Sequence, residues 1–175
     1  VITNSSNNYG PRQLPEKLIP LVILSAFSEQ RIPLYGDGLQ IRDWLFVEDQ
    51  CQALLAALQH GTPGESYNIA SGQARTNLET VQALCDAVDA QLAGNSAGQS
   101  HRLIDYVEDR PGHDRRYGLD ISKAQSELNW QPQTDWQTGI EKTVRWYLKN
   151  TDWVSAITEQ VPLSERRGLR NRGLK

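Results

Sequence analysis

The stretch Leu34–Asp49, LYGDGLQIRDWLFVED, decides how the rest of the chain is read. Tyr35-Gly36-Asp37-Gly38 signals a tight turn, because glycines let the chain reverse where a Cβ would strain it. Arg42 and Asp43 follow, then Trp44-Leu45-Phe46-Val47, a short apolar run of strand length. Glu48 and Asp49 open a helix, with their carboxylates at its positive end. Behind them Cys51, Leu54, Leu55 and Leu58 fall at i, i+3, i+4 and i+7, the spacing of one inward helical face. Gly61 and Pro63 stop that helix.

Working outward, strands alternate with helices, which gives an α/β class. Val1-Ile2-Thr3 reads as the end of a buried strand, followed by the polar loop Asn4–Pro11. A helix is expected from Pro15, a favoured first helical residue, to about Ser28. Ile32–Tyr35 and Ser66–Ala70 read as strands. Thr76-Asn77-Leu78-Glu79 is a capping box, with hydroxyl and carboxylate each satisfying a free backbone N–H. The helix it opens carries Leu78, Val81, Leu84, Cys85, Val88 and Leu92 along one side. Gly94–Ser100 is an exposed small-residue loop, Leu103–Val107 a strand, and Ser122–Leu128 a short helix. Thr134-Asp135-Trp136-Gln137 reads as a second capping box before a helix with Trp136, Ile140, Val144, Tyr147 and Leu148 inward. A last short helix covers Asp152–Ile157. Residues 1–158 form the folded part, and 159–175 a basic tail expected to be disordered.

Composition narrows the function. The chain has 175 residues, 38% hydrophobic and 22% charged, which fits a globular domain with a core. A net charge of -3 argues against a nucleic-acid footprint. The longest apolar run, Leu18–Phe27, is about half the length a bilayer demands and contains Pro20 and Ser25, so no membrane span is expected. Cys51 and Cys85 both fall on apolar helix faces and read as buried free thiols of a reducing compartment. No segment has the pattern of a signal peptide, and the cytoplasm is the expected location. The absence of any methionine and the strand-like first residues lead us to expect a fragment.

Polar residues that could carry chemistry gather at element ends: Asn7, Asn8, Lys17, Arg42, Arg110 and His113. Crevices at strand ends are where open α/β sheets bind ligands. An arginine between a tight turn and a strand can clamp phosphate through its planar fork, or it can pair with Asp43 or Asp49. Tyr35 can stack on a ligand ring or fill the core. His113 can bond an anion or a neighbouring carboxylate, and Asn77 can serve the helix end or reach a ligand. No metal site is expected, since His60, His101 and His113 are scattered and the cysteines lack ligand spacing. No nucleophile elbow, phosphate-binding glycine loop or GxGxxG is present. These residues point to a module that binds an anionic, phosphorylated ligand.

SNNYGP at Ser6–Pro11, PEKLIPL at Pro15–Leu21, YGDGLQIRDWLFVED at Tyr35–Asp49 and DRPGHDRRYGLD at Asp109–Asp120 resemble the extended short-chain dehydrogenase/reductase family of nucleotide-sugar enzymes. The resemblance is strongest to its dTDP-glucose 4,6-dehydratase branch and covers about Val1–Trp153. The turn-RDW-strand motif is shared with epimerases and decarboxylases of that superfamily, whereas DRPGHDRRY is more selective for the dehydratases. The tail after Thr158 departs from the family pattern.

The resemblance implies the end of a Rossmann sheet plus a small mixed α/β substrate-binding region, in an enzyme that is a homodimer with tightly held NAD. In that reaction hydride passes from C4 of glucose to NAD, water is lost across C5 and C6, and hydride returns to C6. By motif, Asn7 would contact the substrate and Asn8 the nicotinamide end of NAD. Lys17 and Leu18 would line the nucleotide site, and Pro33, Leu34 and Tyr35 would pack around the thymidine. Arg42, Asn77, Arg110 and His113 would hold the diphosphate and ribose of the dTDP-sugar nucleotide. The family's glycine-rich NAD loop and catalytic residues would lie upstream of Val1, so no catalytic residue is expected here and the chain alone should be inactive. It should also expose apolar faces of Val1–Thr3, Ser66–Ala70 and Leu18–Phe27 and self-associate. Alternatives are another epimerase or decarboxylase of the superfamily, or a non-catalytic sugar-nucleotide-binding module.

Overall fold

The computed structural model describes residues 1–92 and 98–160. Most of the basic tail (161–175) and of the Gly94–Ser100 loop therefore lies outside the described residues. Within them the α/β reading holds, with strands β1 (Ile2–Ser5), β2 (Asn7–Tyr9), β3 (Ile32–Tyr35), β4 (Ile41–Phe46), β5 (Ser66–Ile69), β6 (Ala74–Thr76), β7 (Ile104–Val107) and β8 (Arg116–Tyr117). The helices are α1 (Leu18–Phe27), α2 (Val47–His60), α3 (Asn77–Gln91), α4 (Ser122–Leu128), α5 (Trp136–Lys149) and α6 (Thr151–Gln160), with a 3-10 turn at Ser100–Leu103.

Strand β4 is the hub. Its second half runs parallel to β2, with Asn7 opposite Trp44 and Tyr9 opposite Phe46. Its first half is antiparallel to β6 and parallel to β8. The parallel pairs β1–β5 and β3–β7 form separate small sheets. Because strand side chains alternate, β4 serves two cores. Trp44 and Phe46 join Tyr9, Ile23, Leu84, Val144 and others between α1, α3 and α5. Leu45 faces a second cluster with Ala53, Ala57, Tyr67, Ile69 and Leu128. Asp43, on the same face as Leu45 and only 2% exposed, accepts bonds from Ser6 Oγ at 3.2 Å and Ser71 N at 2.7 Å. It joins the ends of β1 and β5 to the hub.

Several expectations need correction. Helix α1 begins at Leu18 rather than Pro15, and its residues from Ile19 to Ala26 are buried, so it is not short of cover. Strand β4 starts at Ile41, placing Arg42 inside the strand, and Val47 already belongs to α2. Strands β2, β6 and β8 arise in stretches read as loop or cap, because backbone pairing with β4 decides them rather than any apolar alternation. The cap of α5 is Asp135, one residue later than read, accepting from Thr138 N at 2.9 Å. Ser100 is buried, held by Asp89 through its backbone N–H and hydroxyl.

The largest correction concerns α2. Its apolar stripe points outward, with Leu54 46%, Leu55 50% and Leu58 82% exposed and Cys51 exposed beside them. The helix instead buries Asp49, Gln50, Ala53 and Ala57. Small residues let it lie close to β4 and β5, and Asp49 accepts backbone N–H bonds from Gln133 and Thr134. Val1 and Ile2 are likewise exposed, so β1 is not buried within this chain. Cys85 is buried as expected, and burial pushes its thiol pKa up to about 12. No helix among the described residues is long and apolar enough to cross a membrane.

Two packing features are testable. The α3 capping box is complete, with Thr76 N donating to Glu79 Oε2 at 2.8 Å and Glu79 N to Thr76 Oγ1 at 3.1 Å. Thr76→Ala should cost about 1 kcal/mol in urea unfolding. The backbone bond from Thr76, and then its hydroxyl, lower the Glu79 pKa. Its stabilisation is therefore present above the ordinary glutamate pKa of about 4.3 and lost as pH falls through the lower folded value. Glu79→Gln should flatten that acid-side decline in melting temperature. At Gly139, a Cβ would meet Tyr9 Oη at 2.0 Å and Cζ at 2.9 Å. Tyr9 is 2% exposed and braced by Phe46 and Trp136, so it has no room to yield. Gly139→Ala should destabilise by about 1–3 kcal/mol despite alanine's better helix propensity.

Candidate functional site

Strands β2, β3 and β4, the start of α1, the start of α3 and the loop after β7 enclose a cleft of about 590 Å³. Asn7, Lys17, Leu18, Pro33, Leu34, Tyr35, Arg42, Asn77, Arg110 and His113 all line it. These residues come from six separate stretches of sequence. Sequence reasoning missed Glu16, Trp44 and Pro111, which line it too. Trp44 could have been found by counting two along the strand from Arg42, which puts both side chains on one face. Asn8 lies apart. Next to Asn7 on a strand, it turns to the opposite face, and it is not part of the cleft wall.

Arg42 is the least expected member. It is 7% exposed, and among the described residues no carboxylate lies within ion-pair distance of it. Asp43 is committed to Ser6 and Ser71, and Asp49 to Gln133 and Thr134. The salt-bridge alternative is therefore not what the fold adopts. Among the described residues the guanidinium donates only to the Ile41 carbonyl, at 2.7 Å. Burial lowers its pKa; Asp114 opposes that shift, Arg110 adds to it, and Asp109 opposes it.

The other polar groups are arranged around it. Lys17 is half exposed, with Glu16 at 3.5 Å. His113, its side chain 8% exposed, meets Asp109 Oδ1 through Nδ1 at 2.6 Å. Asn77 heads α3, yet Thr76 and Glu79 do the capping, and the buried Asn77 Oδ1 has no hydrogen-bond partner among the described residues. Trp44 Nε1 is buried and, among the described residues, unpartnered as well. Such groups are costly to leave unsatisfied within a protein. One wall of the cleft is cationic and donor-rich, the other apolar, with Leu18, Pro33, Leu34 and Tyr35. An elongated ligand with an anionic group and a flat, less polar end matches both walls. Among the described residues no group of three His, Cys, Asp or Glu is placed to hold a metal ion.

A buried cation without a counter-ion destabilises the fold that holds it. Arg42→Met should therefore raise stability, by about 1 kcal/mol in denaturant unfolding, while weakening the binding of inorganic pyrophosphate measured by calorimetry. A variant less stable than the parent would contradict the unpaired state of Arg42.

Comparison with known proteins shows the family. Residues 1–143 match the family model described as GDP-mannose 4,6 dehydratase. A dTDP-glucose 4,6-dehydratase of Escherichia coli is 47% identical over 171 residues, covering 97% of this chain and 47% of that protein. The crystal structure of a dTDP-glucose 4,6-dehydratase from Streptomyces venezuelae, with NAD bound, superposes with a TM-score of 0.81 at 40% identity, covering 89% of this chain and 46% of that one. A Bacillus anthracis dTDP-glucose 4,6-dehydratase, in complex with NAD, gives a TM-score of 0.76 at 41% identity, with 89% and 46% covered. The chain spans about half the length of these relatives. It belongs to the GDP-mannose 4,6 dehydratase family of extended short-chain dehydrogenases/reductases, and the relatives it resembles there are dTDP-glucose 4,6-dehydratases.

Proposed function

We propose that this chain is the sugar-nucleotide-binding part of a dTDP-glucose 4,6-dehydratase, which forms dTDP-4-keto-6-deoxyglucose and water for deoxysugar synthesis. The observation that carries the reading is Arg42, a buried cation without a carboxylate partner, opening into a cleft shared with Lys17, Arg110 and His113. A diphosphate supplies the missing negative charge and enough oxygen atoms for several charge-assisted bonds at once. Pro33, Leu34, Tyr35 and Leu18 offer apolar cover and a ring face for thymidine. Asn77 and Asn7 supply amides for ribose and sugar hydroxyls.

NAD fits the reading on one point. Asn8, facing away from the cleft, has a buried Oδ1 with no donor among the described residues, which suits the carboxamide end of a nicotinamide. When bound, NAD supplies a reversible acceptor for hydride. The sequence contains no glycine-rich dinucleotide loop and no Tyr-x-x-x-Lys pair. The chain therefore binds sugar nucleotide without turning it over, and catalysis belongs to the whole homodimeric enzyme in the cytoplasm.

Two measurements test the reading. Calorimetric titration of the 175-residue chain should show dTDP binding at least about tenfold tighter than UDP or GDP, a gap of about 1.4 kcal/mol. Equal affinities would favour an epimerase-like specificity instead. Mixing the chain with NAD and dTDP-glucose should form no 4-keto sugar, and measurable product would refute the division of labour.

A further inference from the structure

The polar residues of the cleft are distant from one another in sequence, so something must hold them in register. Asp109 is the meeting point. Its Oδ1 accepts from His113 Nδ1 at 2.6 Å and from the Arg110 backbone N at 2.9 Å. Its Oδ2 accepts from Gln40 Nε2 at 2.9 Å. Gln40 is 2% exposed, and its backbone carbonyl accepts from Asn77 N at 2.9 Å. The turn is tied into the same node. A Cβ at Gly36, where φ is +60°, would meet Asp109 Oδ2 at 2.9 Å and Gln40 Nε2 at 3.1 Å, while Gly36 N donates to Val107 O at 2.9 Å. Glycine is required there both by conformation and by the approach of the carboxylate.

We propose that Asp109 is a positioning residue, a latch that with Gln40 sets Arg110, His113 and Asn77 at a fixed spacing in the cleft before ligand arrives. The proposal rests on the sugar-nucleotide reading for what the cleft takes. Its physical content is preorganisation: groups already oriented lose less freedom on binding. Asp109 itself points its oxygens at protein donors, so the negative charge is spent inside the latch and not on the incoming anion. The hydrogen bond from His113 holds the Asp109 carboxyl below its ordinary pKa, followed by the smaller effect of the Arg110 N–H. With Nδ1 engaged, the imidazole has only Nε2 left to offer the cleft. Arg42, Arg110, Lys17, Glu16 and Asp114 are the charged groups around this arrangement.

The test uses the 175-residue chain with dTDP and thymidine as probes, titrated by NMR. Asp109→Ala releases the loop and should weaken dTDP about tenfold, with thymidine unchanged within about twofold, because only the diphosphate end loses its alignment. Asp109→Asn keeps an oxygen for His113 Nδ1, and Gln40, whose Oε1 has no partner among the described residues, can turn its amide to accept from the new NH2. This variant should bind dTDP at least as tightly as the parent, a rescue that a requirement for charge would not give. A ligand-free readout accompanies both: a slowly exchanging His113 Nδ1–H signal in the parent and in Asp109→Asn, lost in Asp109→Ala. Unchanged dTDP affinity in Asp109→Ala, or equal loss of dTDP and thymidine, overturns the proposal. A parent chain that binds neither probe refutes the sugar-nucleotide reading instead. The latch then stands or falls on whether the Nδ1–H signal is present.

Discussion

The alternation of side chains along β4 is the constraint on which the rest of the molecule depends. Six residues of one strand must serve two hydrophobic cores and one wall of a polar cleft. Arg42, Trp44 and Phe46 share one face, and Asp43 and Leu45 the other. A one-residue slip against β2 would send Arg42 toward Leu45's core and strand a guanidinium among Tyr67, Ile69 and Leu128. The burial of Leu45, Trp44 and Phe46 thus fixes where the Arg42 cation emerges.

On the proposed reading, stability and binding pull against each other at that position. The fold keeps a cation at 7% exposure with, among the described residues, only a neighbouring carbonyl to accept from it, an arrangement that pure packing would replace with an apolar side chain. The unsatisfied Asn77 Oδ1 and Trp44 Nε1 in the same cleft are costs of the same kind. Around them the structure is firmly braced: Asp43 ties β1 and β5 to the hub, Asp49 anchors the approach to α5, and Asp37 pairs with Arg115 at 2.8 Å beside the turn. Hydrogen bonding to Arg115 lowers the Asp37 pKa accordingly. Buried side-chain atoms without a partner among the described residues also occur at Asn8, Gln13, Gln40, Gln50 and Trp130, so it is the position of Asn77 and Trp44 beside the buried Arg42 that sets the cleft apart.

Reading inward from the sequence worked where local chemistry dominates. The Thr76 capping box, the strand Ile32–Tyr35 and the short helix Ser122–Leu128 depend on neighbouring residues, and their bounds were legible. The α2 stripe shows the opposite case. Cys51, Leu54, Leu55 and Leu58 share a helix face by spacing alone, but spacing carries no information on which neighbour covers that face. Ala53 and Ala57, unremarkable as sequence, are the residues that permit close approach to the sheet.

The cleft divides along the same line. The identities of its residues could be read from the motifs SNNYGP, PEKL, YGDG-RDW and DRPGH, because turns, caps and cations announce themselves by residue type and order. Whether Arg42 would pair with Asp43 or Asp49 could not, since all three outcomes are compatible with adjacency in the chain. Tertiary structure decided it by giving each carboxylate other donors: Ser6 and Ser71 for Asp43, Gln133 and Thr134 for Asp49. It likewise joined Gln40 to Asp109 across a separation of 69 residues. The sequence by itself determined which groups could bind, through local propensity and side-chain chemistry. Only the folded chain decided which of them remain unpaired, because pairing is set by what long-range packing brings within hydrogen-bond distance.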